Sequence, residues 1–176
     1  KNALSKTLSE LCTLKNQEHD FLAVDMNKTS ELSGAIKNYH NLNSVDIIIN
    51  NSGGPSSGAA HTAGVDEYLA AFTQHLISAQ VIGGVVIPIM KRKRFGRILN
   101  IISTSVKQPI DGLGVSNTIR GAVANWSKTL ASELGTFGIT VNNILPGATQ
   151  TERINELISK SSILKNISKD VVIKNM

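Results

Sequence analysis

The side chains with chemistry to offer a small oxygen-bearing molecule fall mostly in one stretch, 97–120, RILNIISTSVKQPIDGLGVSNTIR. Ser103, Lys107, Ser116 and Arg120 follow an apolar run that reads as a buried strand and lead into a helical pattern. In an open α/β sheet, ligands bind just beyond the carboxyl ends of the strands, so these groups are expected to gather where the strand stops. A serine hydroxyl can hydrogen-bond a substrate oxygen, a lysine ammonium can carry a proton, and a guanidinium donates several hydrogen bonds while staying charged. His75 joins them as a side chain of a type that titrates near neutrality. Each has a plainer alternative: Lys107 as a solvated loop lysine, His75 as a packing residue with a hydrogen-bond partner, Ser116 as the cap of the helix it precedes. His19, His40 and His61 sit in polar contexts without metal-ligand spacing, so no metal site is expected.

These residues need a scaffold, and the rest of the chain describes one. At 176 residues, 41% hydrophobic and 18% charged, the composition is that of one globular domain with a sizeable core. Residues 3–14 carry Leu4, Leu8 and Leu11 at helical spacing, with Cys12 expected on the same buried face, and 21–24 is a short apolar strand ended by Asp25. A helix over 30–40 capped by Thr29 or Ser30 precedes a β-branched strand over 45–49 and the turn NNSGGPSSG. Apolar positions over 65–93 predict a long helix that Gly83, Gly84 and Pro88 must kink or end. A strand at 98–102, a helix over 116–134 stopped by Gly135 and Gly138, a strand at 139–145 and an amphipathic helix over 152–164 complete the pattern. Alternating segments of these lengths imply a doubly wound parallel sheet with helices on both faces.

Charge and hydropathy exclude other classes. The net charge of +5 is concentrated in KRKR at 91–94 and in late lysines, and cations in the last turn of a helix complement its dipole. With 4% aromatic residues there are few rings for base stacking, so no nucleic-acid partner is expected. The apolar runs are broken by glycine and proline, which predicts no membrane span; with no signal-peptide pattern the expected setting is cytoplasmic.

The order VDM at 24–26, VDIIINNSGG at 45–54, IPIMKRKRFGRILNIIS at 87–103 and LASELGTFGITVNNILPGATQT at 130–151 resembles the short-chain dehydrogenase/reductase family along nearly the whole chain. The resemblance implies a Rossmann-like three-layer αβα fold, here incomplete, as a single domain over 1–176, and NAD or NADP as cofactor. It places Asp25 at the adenine amino group, Asn50, Asn51, Ser52 and Gly53 at the adenosine ribose, and Pro146, Gly147 and Thr151 at the nicotinamide and pyrophosphate. Glycines at 53 and 54 would let the chain pass close beneath a nucleotide, while Asn50 and Asn51 could bond neighbouring backbone. Helix capping is the plainer reading of both Asp25 and Thr151. The family's glycine-rich first turn does not precede Asp25, and nothing after Met176 supplies its last strand, so the sequence reads as a subset of a longer chain. In the family's strand order, 3-2-1-4-5-6-7, the segment 21–24 would be third and 45–49 fourth, neighbours in sequence that do not touch.

Registering LASELG with relatives places the family's YxxxK pattern on Ser116 to Arg120, its catalytic serine on Ser103, and the asparagine of FxxN on His75. The tyrosine has become serine and the lysine arginine. A phenol titrates near pH 10 and an adjacent ammonium lowers it further; an aliphatic hydroxyl is a far weaker acid and shorter by roughly 5 Å. Arg120 can still donate to ribose hydroxyls but does not relay a proton. Two functions follow: an oxidoreductase on a small alcohol or carbonyl substrate with a replacement proton donor, Lys107 or His75, or a catalytically silent dinucleotide-binding or scaffold protein. The wide apolar stripe of the helix after Ser116, together with the family's habit of pairing this helix and the preceding one between subunits, implies a homodimer or homotetramer.

Overall fold

The computed structural model describes residues 2–39 and 41–174, which leaves His40 outside the described residues. Three parallel strands form the sheet: β1 (Ile47–Asn50), β2 (Gly96–Ile101) and β3 (Ile139–Ile144), in the order β1-β2-β3. Ile48 pairs with Ile98 and Ile98 with Val141, so these three residues share a face, and they are buried with Met90 and Leu134 in the main core. The opposite face carries Ile47, Ile49 and Ile144, which are exposed. Three β-branched runs of this kind make the central strands legible, because each needs only the next to pair with.

The helices are α1 (Asn2–Glu10), α2 (Thr29–Lys37), α3 (Val65–Phe72), α4 (Ser78–Lys93), α5 (Gly114–Leu134), α6 (Glu152–Lys165) and α7 (Lys169–Lys174). A π turn, Thr73–Ile77, joins α3 to α4 without a break. Neither Gly83, Gly84 nor Pro88 ends this run; α4 continues to Lys93 because Val86, Ile89 and Met90 are buried, which outweighs local propensity. The combined run, Val65–Lys93, is therefore long and apolar enough to cross a bilayer by length and composition, contrary to the expectation from its breakers; here it packs beside the sheet. Its basic end is well anchored: Lys93 Nζ lies 2.6 Å from Asp46 Oδ1, Arg94 donates to Thr136 O at 2.9 Å, and Lys91 stacks over Phe137.

Several local expectations change. Residues 21–24 form no strand, because a strand exists only through a neighbour's backbone groups and none is supplied to them among the described residues. α1 ends at Glu10 with no buried residue, so Cys12 lies outside the helix and exposed rather than in a core. α2 begins after Lys28, which makes no side-chain cap, instead of at a Thr29 or Ser30 cap. Ser116 does not cap α5: the N-cap is Leu113, and Ser116 sits in the first turn, 9% exposed. Asn117 secures that end instead, donating to Ile110 O at 2.9 Å. Gly138, at φ 71, does stop the chain after α5, and a Cβ there would collide with the Arg94 carbonyl oxygen.

Candidate active site

The site grows from the carboxyl ends of β1 and β2. Asn50, the last residue of β1, does not bond neighbouring backbone as its position suggested; its Nδ2 donates to Asn100 Oδ1 at 2.7 Å. Asn100 Nδ2 in turn donates to Ser127 Oγ at 2.8 Å, and Ser127 donates to Val123 O. This polar line crosses from the edge of the sheet into α5 through residues that are 1% exposed at Asn100 and at Ser127. Asn100 and Ser127 were not singled out from sequence, although Asn100 is the lone polar residue within ILNII at 98–102.

A small cavity of about 20 Å³ sits at this junction, lined among others by Asn51, Ser52, His75, Ile101 and Arg120. Ser52 Oγ is 2.6 Å from His75 Nδ1, and His75 is 6% exposed within the π turn. Arg120, 9% exposed, donates through Nη1 to the Ile101 carbonyl at 2.8 Å, which fixes its guanidinium against the end of β2. The structure thus gathers Asn50, Asn51, Ser52, His75 and Arg120, residues from three segments distant in sequence.

Ser103 follows β2, and its Oγ accepts from Ser105 N at 3.0 Å. The adjacent Thr104 N donates to Pro146 O at 3.3 Å, bringing the loop after β3 alongside this turn. Lys107 is not gathered with His75 and Arg120. It is exposed and lines a separate cavity of about 390 Å³ with Ile102, Lys128, Asn143 and Leu145. Successive faces of α5 explain the division: Arg120 and Val123 line the first cavity, Ala124 and Lys128 the second. Asn143 Oδ1 is buried there without a hydrogen-bond partner among the described residues.

Asp25 is exposed and its Oδ1 accepts from Asn27 N at 2.9 Å, forming a local turn ahead of α2. Its neighbour Met26 lines the first cavity. Thr151 caps α6, its Oγ1 accepting from Ile154 N at 3.4 Å. Gly53 and Gly147 have no conformational reason to be glycine, since neither has a positive φ. A Cβ at either would meet nothing within 4 Å. Room above the backbone at these two positions fits the approach of a nucleotide, and Arg120 brings its donors to the first cavity.

A parallel sheet whose strand ends carry such a polar cluster defines a Rossmann-type α/β protein. The profile of the short chain dehydrogenase family matches residues 1–162, and the chain belongs to that family. It is 30% identical over 137 residues to the uncharacterized oxidoreductase YxjF of Bacillus subtilis, covering 75% of this chain and 51% of that protein. It is 28% identical over 125 residues to the NADPH-dependent reductase BacG of the same organism, covering 71% and 48%. Among solved structures, actinorhodin polyketide ketoreductase with NADPH superposes with a TM-score of 0.85 at 25% identity, covering 98% of this chain and 67% of that one. The chain spans about half the length of the curated relatives it matches.

Proposed function

We propose that this protein is an NAD(P)-dependent oxidoreductase of the short-chain type, acting on a small alcohol or carbonyl substrate with a non-standard active site, in a cytoplasmic setting. The observation that carries the reading is Arg120 locked on the Ile101 carbonyl beside Asn50, Asn51 and Ser52, a cluster of donors at the strand ends where a dinucleotide would lie. Bound NAD or NADP supplies or accepts the hydride. Asn50, Asn51, Ser52, Gly53 and Arg120 would hold its ribose side, Asp25 its adenine, and Pro146, Gly147 and Thr151 its other end. Ser103 would orient the substrate oxygen. With serine at 116 and arginine at 120, the proton needs another carrier, and we assign it to Lys107, an exposed ammonium on the turn that follows Ser103; this requires the substrate oxygen to lie by the larger cavity, on the Lys107 side of α5, with the dinucleotide reaching across from the first. His75, buried and bonded to Ser52, is poorly placed to exchange protons with a substrate.

A second reading, a dinucleotide-binding protein without turnover, is favoured by one observation: Lys107 lines a different cavity from the Arg120 cluster, across α5 from it. Cofactor fluorescence would test binding of NADH and NADPH, and a screen of carbonyls and alcohols would test turnover. Binding with turnover is the expected result. Binding without turnover favours the second reading, and no binding removes both.

Residues 1–176 are read as one Rossmann-type domain, and the protein as a homodimer or homotetramer joined through α4 and α5. The two helices are already tied within the chain, Trp126 Nε1 donating to Gln80 Oε1 at 2.9 Å, which would present them as one surface. Sedimentation of the protein should give a dimer or larger; a monomer at high concentration argues against this assembly.

A further inference from the structure

The loop leaving β1 is tied across the fold by a side-chain bond between Ser52 Oγ and His75 Nδ1. The two residues stand 23 positions apart, one just past a strand end and the other in the π turn between α3 and α4. Single π turns inside longer helices recur at functional sites, where the extra residue re-aims the side chains it carries. His75 is held there at 6% exposure, so its ring has little freedom, and its partner inherits that restriction. The next residue, Gly53, is exposed, has no side chain and has nothing within 4 Å of where a Cβ would stand, so no side-chain packing helps to hold it. Farther along, Gly58 is tied to the start of α5, its N donating to Gly112 O at 2.7 Å and its O accepting from Gly114 N at 3.0 Å.

We propose that His75 is a positioning residue for the dinucleotide, fixing Ser52 and through it the backbone of residues 51–54 on which the nucleotide rests. This assignment depends on the dinucleotide-binding reading above. His75 touches neither cofactor nor substrate in it. Its contribution is to remove motions of the loop before binding, so that less ordering remains to be done when the ligand arrives. One hydrogen bond acting this way contributes about 1 kcal/mol, or about fivefold in affinity.

The test measures NADH and NADPH affinity by cofactor fluorescence, with the thermal midpoint, for the whole chain and for Ser52→Ala, His75→Leu, His75→Asn and the double variant Ser52→Ala/His75→Leu. Ser52→Ala and His75→Leu should each weaken binding about fivefold, and the double variant no further than the weaker single one, since both remove the same bond. Asparagine carries its amide where Nδ1 of histidine stands, so His75→Asn should bind within about twofold of the wild type. Because Ser52 also stands on the ribose side, its own loss does not decide the matter; the deciding readouts are the non-additivity of the double variant and the rescue by His75→Asn, neither of which a direct Ser52 contact alone would give. Unaltered affinity in Ser52→Ala, additive losses in the double variant, or His75→Asn binding as weakly as His75→Leu would each overturn the proposal. A wild type that binds no dinucleotide overturns the underlying reading too, whereas a binding wild type with equally binding variants overturns only the role of His75.

Discussion

Lys107→Met is expected to lower turnover by roughly a hundredfold to ten-thousandfold while leaving dinucleotide affinity unchanged, because a positioned general acid contributes on that scale. The substitution keeps the length and apolar stem of the side chain and removes only the ammonium. Packing around Ile102, Val106 and Leu145 in the larger cavity should therefore survive, and a fall in rate would report the missing proton carrier. Lys107→Arg separates charge from proton transfer. If the ammonium merely attracts the substrate, arginine restores the rate; if it delivers a proton, arginine does not, since a guanidinium stays protonated. Rates of both variants equal to the wild type would remove Lys107 from the mechanism and move the balance toward the silent reading. The need for such a carrier follows from Ser116: its position in the first turn of α5 is buried at 9% exposure, and a serine hydroxyl there is both a weak acid and a short one.

The parts of this fold legible in the sequence are those whose structure depends on nearby residues or on strong periodicity. Residues 45–49, 98–102 and 139–145 are β-branched or apolar runs, and the strands appear there within two residues of the expected bounds. α5 is legible from its wide stripe, and its stop from Gly135 and Gly138. What fails is whatever depends on a distant partner. The apolar residues 21–24 have strand character but no strand beside them, and Leu22 is 44% exposed. Cys12 has the pattern of a buried position, yet α1 buries nothing. The opposite error occurs at Pro88 and Gly83, where tertiary burial holds a helix that local propensity would interrupt.

The candidate site divides in the same way. The order of the family pattern puts His75, Asn50 and Arg120 in one place, and they share a cavity. Proximity to Ser103 in sequence groups Lys107 with them, but four residues of turn carry it past the boundary set by α5. Proximity in sequence could not reveal which side of that helix it would face. Nor could it reveal Asn100, because an isolated asparagine in a strand gives no hint of its two partners until β1 and α5 are laid on either side.

Asn100→Ala is expected to destabilise the protein by about 2–4 kcal/mol in urea denaturation, more than either neighbour in the line. Asn100 is suited to its place because an amide presents an acceptor on one side and a donor on the other. Its Oδ1 takes the Asn50 proton and its Nδ2 supplies Ser127 Oγ. Alanine leaves Asn50 Nδ2 without its acceptor and opens a small void at a position 1% exposed. Ser127→Ala should cost less, about 1–2 kcal/mol, since it strands only one donor of Asn100. Asn100→Asp separates shape from chemistry: the carboxylate matches the amide in size and can accept from Asn50, but it cannot donate to Ser127 and brings a charge into the core. It should therefore be at least as damaging as alanine. An aspartate variant as stable as the wild type would show that the bond from position 100 to Ser127 contributes nothing, and an alanine variant as stable as the wild type that the tie between β1 and α5 carries no weight in holding the strand ends together.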